Sequence, residues 1–381
     1  MASWAWRRDE KGEHVAIADK QFDDTARLQA ALNRGGHITL EKGRRYRLSA
    51  PSGARAALVI KSDTFLDLAG AILELAPGQR CALISTQRGE RSRSIRIAGG
   101  EIVGNGAQQP TVFNPSIGIT PTLYLTNCDG LDLHDLRMRD TYMYSVYAEG
   151  NDGAVDNLTI NGAIGGGIHL NGECWRIDRV NVRNVSYFER VNCQGNPFIV
   201  SLRDSTVGSV RCENYGFGVK FQDGCENVTV NSILAIGGDN NDRNPDYLVK
   251  IQGMNDSRGK RINRGIRIGS IVARNGPYSG LYIIYSEGVD IASYQGENNG
   301  RSRHKDAKNG ADVLVIDADH VHFGALRVKG IRQYGLWIHN KVGQFSADTV
   351  EMEGKGIDAV PMVLRSGSPV FGRTLLRGFV P

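Results

Sequence analysis

Proline is scarce in this chain, and long apolar runs are missing. The 381 residues include 11 prolines, and no apolar stretch approaches the roughly 18 residues that a membrane-spanning helix needs. The six cysteines form no Cys-x-x-Cys pair, so a zinc site and a disulfide framework are not predicted, and free core thiols are. The first eight residues lack the apolar segment of a secretory signal peptide.

The chain also lacks a strong excess of either positive or negative charge. The chain carries 46 Lys and Arg against 41 Asp and Glu, a formal net charge of +5. The basic residues are not clustered, and a nucleic-acid partner is therefore not predicted. A mild positive charge is compatible with an anionic substrate.

Glycine, by contrast, is abundant at 47 residues, and one short pattern recurs from Thr122 to Arg365. The pattern is an apolar residue, any residue, a second apolar residue and then a polar residue, as in the segment 123–126. The other copies begin at Val146, Ile168, Val200, Val219, Val249, Leu281, Val313, Leu336 and Met362. Alternation with a period of two predicts strands with one buried face. Recurrence every ~20–32 residues predicts stacked coils.

A second alternating segment follows most copies, as at 158–160 and 228–230, after turn residues such as Asp223 and Gly224. Each coil therefore carries at least two short strands. A propeller blade needs roughly 40 residues and four strands, more than these units contain. The sequence predicts an all-β fold, a right-handed parallel β-helix or solenoid, with an N-terminal arm over 1–20 and a single β-helix domain over 21–381.

The opening of the domain, residues 21–48, carries a family resemblance. Asp23 or Asp24 can cap a short helix, and Gly35 can end it. The pattern Gly-Gly-x-Ile-x-Leu-x-x-Gly-x-x-Tyr-x-Leu follows. This opening resembles the pectate-lyase-like β-helix superfamily, which includes polysaccharide lyases, polygalacturonase-type hydrolases, mannuronan epimerases and tailspike depolymerases. We expect the helix to cap the open end of the solenoid.

Two positions of the repeat point to solvent, the residue between the apolar pair and the residue after it. Stacking turns each position into a column with a step of about 4.8 Å. The first column is predicted to hold Tyr124, Tyr147, His169, Ser201, Lys220, Lys250, Tyr282, Leu314, Trp337 and Val363. The second is predicted to hold Thr126, Glu149, Asn171, Arg203, Gln222, Gln252, Ile284, Ile316, His339 and Arg365. The middle coils thus gather aromatic and charged groups, which suit sugar rings and their carboxylates.

The predicted substrate is an acidic polysaccharide or oligosaccharide, and the preferred reaction is β-elimination at a uronate. A base then removes the proton α to a carboxylate while cations neutralise the developing charge. Arg203, Lys220 and Lys250 are expected on adjacent coils, where like charges lower the pKa of Lys220 and suit it to act as the base. His169 and Tyr147 are the alternative base and acid.

The predicted site residues fall into two groups. The predicted catalytic residues are Lys220, His169, Arg203, Glu149 and Asp223. The predicted substrate-binding residues are Tyr147, Asn171, Lys250, Gln222, Gln252, Tyr282 and Trp337.

Glycoside hydrolysis is the alternative reaction, and it needs two carboxyl groups roughly 5–5.5 Å or 6.5–9.5 Å apart. Glu149, Asp204 and Asp223 are the candidates, with Asp204 and Asp223 a possible close pair on adjacent coils. The combined motif pattern of polygalacturonase-type hydrolases is not found. Residues 215–218 resemble the start of an epimerase motif, Tyr-Gly-Phe-Asp-Pro-His, but lack its Asp and His. A further alternative is a non-catalytic polysaccharide-binding or tailspike-type protein.

The expected partner is the polysaccharide, with neither nucleic acid nor a membrane. No cofactor is assigned with certainty, and Ca²⁺ is a candidate, with Glu149 or Asp223 as its ligand. A homo-oligomer, for example a trimer, is a candidate assembly that caps the last coil. An extracytoplasmic or secreted location is favoured, with a signal peptide absent from this sequence. The groove is expected to be walled by long loops at 107–121, 186–198, 237–247, 254–264 and 297–311.

Overall fold

Strands dominate the structure, a computed structural model of the chain. It describes residues 6–8, 14–16, 23–51, 53–79, 81–109, 121–186, 195–238, 247–256, 259–300 and 310–379. The protein is 68% strand and 4% helix. Two compact units divide it, residues 1–194 and 195–381. The predicted right-handed parallel β-helix with a short N-terminal helix is confirmed, and the domain bounds stay a prediction.

The first unit contains helix α1 (Thr25–Arg34) and a 3-10 turn (Gly106–Gln108). Its strands are β1 (Trp6–Arg8), β2 (His14–Ala16), β3 (Gly36–Leu40), β4 (Arg45–Leu48), β5 (Ala56–Ile60), β6 (Thr64–Asp67), β7 (Ile72–Leu75), β8 (Ala82–Thr86), β9 (Ser92–Arg93), β10 (Ile95–Val103), β11 (Leu123–Leu125), β12 (Cys128–Asp129), β13 (Asp132–Glu149), β14 (Ala154–Asp156), β15 (Leu158–Glu173) and β16 (Arg176–Ser186). Strands β5, β8, β11, β13 and β15 pair in parallel, one per coil. The side chains in register along them are fully buried at Leu58, Ile84, Leu123, Val146 and Ile168.

The second unit repeats this arrangement. Its strands are β17 (Asn196–Tyr215), β18 (Val219–Gln222), β19 (Glu226–Ile236), β20 (Tyr247–Gln252), β21 (Met254–Asp256), β22 (Gly259–Arg261), β23 (Asn263–Arg274), β24 (Ser279–Ile284), β25 (Ser286–Glu297), β26 (Ala311–Ile316), β27 (Asp319–Ile331), β28 (Tyr334–His339), β29 (Phe345–Gly354), β30 (Val360–Leu364) and β31 (Val370–Arg377). Strands β18, β20, β24, β26 and β28 pair in parallel. Their buried register positions are Val219, Val249, Leu281, Val313 and Leu336.

Helix α1 caps the strand edges at the start of the first unit. The Gln29 side chain takes the place of a neighbouring strand: its Oε1 accepts from Val59 N at 2.7 Å and its Nε2 donates to Val59 O at 3.0 Å. Thr25 Oγ1 does the same at Ser49, accepting from its N–H at 2.9 Å. Backbone groups that lack a preceding coil are thus satisfied.

The ends of α1 follow the sequence signals. Asp23 Oδ1 accepts from Thr25 N at 2.8 Å, whereas the Asp24 carboxylate accepts from Arg47 N at 3.3 Å. Gly35 follows the helix with a φ of 69°, a left-handed conformation that glycine adopts without strain. Asp23 therefore supplies the capping side chain, and Asp24 fixes the helix to β4.

Parts of the predicted arm and loops form strands. Strand β1 pairs antiparallel with β2, and β2 pairs in parallel with β3. Within the predicted loop at 254–264, β21 and β22 form an antiparallel hairpin. The other predicted loops contain stretches that lie outside the described residues, at 110–120, 187–194, 239–246 and 301–309. Among the residues described, no helix is long and apolar enough to cross a bilayer.

The cysteines agree largely with the predicted free thiols. The buried free cysteines are Cys81, Cys128, Cys212 and Cys225. Cys174 is free but exposed, and position 193 lies outside the described residues. Burial raises the pKa of the Cys81 thiol to about 12, so this thiol stays protonated and unreactive at neutral pH.

Candidate functional site

In the first unit, the predicted outward columns form as expected. Tyr124 lies in register with Tyr147, and Tyr147 with His169. Glu149 lies in register with Asn171. The apolar residues on either side of each outward residue are buried, and the pleat of the strand therefore turns these side chains away from the core.

Three of these outward residues form a compact group with Tyr144. We call Tyr144, Tyr147, His169 and Asn171 the aromatic–histidine cluster. The ring of His169 lies edge-on to Tyr147 with centroids 4.8 Å apart. Tyr144 contacts the same imidazole at 5.5 Å. Asn171 Nδ2 donates to the Tyr147 hydroxyl at 3.2 Å. The cluster thus places an imidazole, a phenol and an amide within reach of one ligand.

The phenol of Tyr147 is tuned toward its neutral form. Burial and the nearby charges of Glu149 and Tyr124 raise its pKa, and the hydrogen bond from Asn171 opposes them only partly. A phenol with a raised pKa keeps its proton at neutral pH. Tyr147 is therefore protonated at neutral pH and is not suited to act as a base, and the raised pKa makes it a weaker acid than an ordinary phenol.

A cleft of about 1240 Å³ opens beside this cluster. One wall is helix α1, with Ala26, Gln29 and Asn33, and the floor is the outward face of β5, β8 and β11. Tyr124 and Glu149 also line it. We call this space the cap cleft. The repeat pattern did not predict this cleft, because the cleft depends on where helix α1 lies against β5.

The cap cleft carries three cations and two carboxylates. The cations are Arg55, Lys61 and Arg88, and the carboxylates are Asp23 and Glu149. Burial raises the pKa of Asp23, but hydrogen bonds from Ser49 and Thr25 outweigh that effect and hold the pKa below its ordinary value. Asp23 is thus an ionised structural anchor of α1.

In the second unit, Lys220, Lys250 and Tyr282 lie in register along β18, β20 and β24. The Lys250 ammonium lies 4.6 Å from the ring centroid of Tyr247 and 4.7 Å from that of Tyr282. These four residues form the lysine–tyrosine cluster. Gln222 and Gln252 lie in register two residues beyond the lysines, as predicted.

The pKa of Lys220 is lowered, as predicted, but for another reason. Burial of its half-buried ammonium is the largest cause, and the negative charge of Asp223 opposes it. The predicted columns placed Ser201 in register with Lys220 and Arg203 in register with Gln222, and this register is wrong. Ile199 pairs with Lys220, whereas Arg203 pairs with Glu226 further along the coil.

The two aspartates of the hydrolase alternative occupy turns. Asp204 and Asp223 have φ values of 48° and 60°, the left-handed region that suits aspartate in turns. Asn227 Nδ2 donates to Asp204 Oδ1 at 3.0 Å, so Asp204 stacks on Asn227. The possible close pair of Asp204 and Asp223 on adjacent coils stays a prediction.

Trp337 lies on the predicted column but is only 6% exposed. It belongs to a buried cluster with Leu314 and Ile316. Tyr334 contacts its ring edge-on at 4.4 Å, and the Arg365 guanidinium lies 5.1 Å from its centroid. This packing leaves Trp337 poorly placed to stack on a sugar ring.

The remaining assignments stay predictions. Within the ranges that the structure describes, no group of three or more His, Cys, Asp or Glu side chains is placed to hold a metal ion. Ca²⁺ at Glu149 or Asp223 stays a prediction. Tyr144 and Tyr247 were not predicted, since each stands outside the repeat positions that define the columns.

Comparison with known proteins supports the fold. No family model and no curated protein matches the chain. Among solved structures, a tailspike of the E. coli bacteriophage HK620 matches with a TM-score of 0.51 and 13% identity over 96% of this chain and 63% of the tailspike. The A-module of an Azotobacter vinelandii mannuronan C-5 epimerase matches at 0.45, with 13% identity, 96% of this chain and 97% of that one. A Yersinia enterocolitica exopolygalacturonase matches at 0.48, with 14% identity, 93% of this chain and 76% of that one.

These matches define the class of protein by its fold. The chain is a parallel β-helix protein, which is the fold that the predicted resemblance implied. At these identities the likeness extends to the fold alone.

Proposed function

We propose that the protein is an enzyme that cleaves an acidic polysaccharide by β-elimination at a uronate. The observation that carries the proposal is the contact of His169 with Tyr147 at 4.8 Å, with the Tyr147 hydroxyl held by Asn171. Tyr147 contacts Tyr124, a residue of the cap cleft lining, with ring centroids 5.6 Å apart. The cations of that cleft suit an anionic polymer.

Each residue of the cluster has a role in this reaction. A neutral His169 removes the proton on the carbon next to the uronate carboxylate. The electron pair of that C–H bond forms the C=C bond as the glycosidic C–O bond breaks. Tyr147, which is protonated at neutral pH like an ordinary phenol, donates its proton to the departing oxygen. Asn171 donates a hydrogen bond that stabilises the charge developing on the carboxylate.

Elimination is favoured over hydrolysis by the state of the carboxylates. Hydrolysis needs one carboxylic acid and one carboxylate on opposite sides of the bond. Of the two carboxylates in the cap cleft, Asp23 is already engaged by protein groups, since its Oδ1 accepts from Thr25 N and its Oδ2 accepts from the Ser49 hydroxyl. Glu149 alone remains for either role, and a single carboxyl group does not supply both.

Lys220 is a second candidate base, in the second unit. Burial lowers the pKa of its ammonium, and Lys250 and Tyr282 lie in register with it. A lysine that loses its proton more easily can remove a substrate proton near neutral pH. The same reaction is then served by the lysine–tyrosine cluster.

The test is a turnover assay on polygalacturonate and alginate. Ultraviolet absorbance detects the unsaturated uronate and a reducing-sugar assay counts new chain ends. We expect both signals to rise together for the wild type. Tyr147→Phe should lower kcat by about 100-fold or more, because a proton donor is lost while the ring remains. Tyr334→Phe, a matched change outside the cluster, should leave kcat unchanged.

Two further variants separate the candidate bases. Loss of elimination in His169→Ala with activity retained in Lys220→Ala assigns the base to the first unit. The opposite pattern assigns it to Lys220. New reducing ends without the unsaturated product contradict elimination.

A further inference from the structure

We infer that the cap cleft is a binding subsite for anionic sugar units of the polymer, with helix α1 as one of its walls. The anionic group is a carboxylate or a sulfate ester. The inference rests on the proposed function for its link to the reaction, although binding in the cleft can be measured without turnover.

Continuity with the aromatic–histidine cluster is the first argument. The outward residues run in register from His169 through Tyr147, Tyr124 and Ser85 to Val59. Four steps of about 4.8 Å give a path of roughly 19 Å. Tyr124, Ser85 and Val59 all line the cap cleft. A ligand that occupies both places is thus an extended chain rather than a single sugar.

The cations of the cleft are the second argument. Other arginines of the first unit are bound to carboxylates, as Arg91 is to Asp129 at 2.6 Å. Lys61 and Arg88 are exposed, and neither forms an ion pair with another described residue. Their charges are therefore available to carboxylates or sulfates of a ligand.

The third argument is the neutral part of the lining. Tyr124 is 36% exposed and offers a ring face beside the cations. The Asn33 amide oxygen accepts from Gln29 Nε2 at 2.9 Å. This hydrogen bond uses the oxygen of the Asn33 amide and leaves its NH₂ group as a donor for a ligand. An aromatic face and amide donors suit a pyranose and its hydroxyl groups. Together with the cations they select an acidic saccharide over a simple anion.

The experiment measures binding of the full chain to immobilised polygalacturonate, dextran sulfate and neutral dextran. The variant is Lys61→Glu/Arg88→Glu, with Lys61→Gln/Arg88→Gln as a substitute if charge reversal lowers the melting temperature. The matched control is Arg267→Glu/Lys329→Glu, two exposed cations of the second unit. We expect the variant to bind an anionic polymer about five- to tenfold more weakly, and neutral dextran binding to stay unchanged.

The outcomes separate the ligand sources and the two proposals. Weaker binding to polygalacturonate assigns uronate carboxylates, and weaker binding to dextran sulfate alone assigns sulfate esters. A loss below twofold for both polymers, or an equal loss in the control, overturns the inference. A variant that binds weakly, beside a wild type that forms no unsaturated product, contradicts the proposed reaction and leaves the subsite standing.

Discussion

The buried carboxyl group of Asp312 is predicted to contribute stability that is lost as the pH rises from about 4 to about 7. Its side chain is 3% exposed. It accepts hydrogen bonds from the Tyr294 hydroxyl and from Asn299 Nδ2, the latter at 3.0 Å. Burial raises the pKa of Asp312 from 3.8 to about 7, and these two hydrogen bonds only moderate the rise.

The sign follows from proton binding. Between the two pKa values the folded protein keeps a proton on Asp312, whereas the unfolded chain has lost it. The contribution of Asp312 to the free energy of unfolding therefore falls with rising pH in this window and levels off above about pH 7. The full difference corresponds to about 4 kcal/mol, taking 1.36 kcal/mol for each pH interval of one.

The assay is urea unfolding of the wild type and of Asp312→Asn between pH 4 and pH 8. The variant cannot titrate at this position, and other groups contribute equally to both proteins. We expect the stability of Asp312→Asn relative to the wild type to increase by a few kcal/mol as the pH rises. A difference that stays flat, or that decreases with pH, would refute the reasoning and show that Asp312 is ionised in the fold.

Three further predictions concern the cap, the column and the base. Gln29→Ala removes both hydrogen bonds to Val59 and should lower the free energy of unfolding by about 1–3 kcal/mol. The control Gln87→Ala, in the same cleft, should leave the free energy of unfolding almost unchanged. Equal effects of the two variants in thermal unfolding would contradict the capping role of Gln29. Trp337→Ala should lower the free energy of unfolding by about 3–5 kcal/mol, because a large buried side chain is lost. Weaker polysaccharide binding with unchanged stability would instead support the predicted substrate-binding role of Trp337. If Lys220 is the base, kcat/KM should rise with pH through its lowered pKa, because only the neutral amine accepts a proton; the same pH profile in Lys220→Ala would exclude that role.

The repeat made the fold predictable. Apolar residues two apart, such as Leu123 and Leu125, define a strand face, and their recurrence defines the coil. The columns were predicted correctly wherever the apolar pair was unambiguous, as for Tyr147 with His169 and for Lys220 with Lys250.

The register failed at one coil for a physical reason. Phe198, Val200 and Leu202 are all buried, so this strand offers two possible apolar pairs, 198 with 200 and 200 with 202. A slip of two residues keeps the same face inward, and the pattern alone cannot distinguish the two registers. The structure pairs Val200 with Phe221, which carries Arg203 away from Lys220.

The repeat pattern could not predict the cap cleft or the burial of Trp337. The cleft depends on where α1 lies against β5, and that contact is made by the Gln29 side chain. Trp337 stands on an outward column, yet Leu314 and Tyr334 pack against it. Outward direction is a property of the strand, whereas exposure depends on neighbouring coils.

The most direct test of the proposed reaction is product analysis after incubation of the wild type and Tyr147→Phe with polygalacturonate and alginate. We predict that the wild type forms unsaturated uronate ends in a one-to-one ratio with new reducing ends, and that Tyr147→Phe forms almost none. Reducing ends without unsaturation, or an active Tyr147→Phe, would contradict the assignment of elimination to the aromatic–histidine cluster.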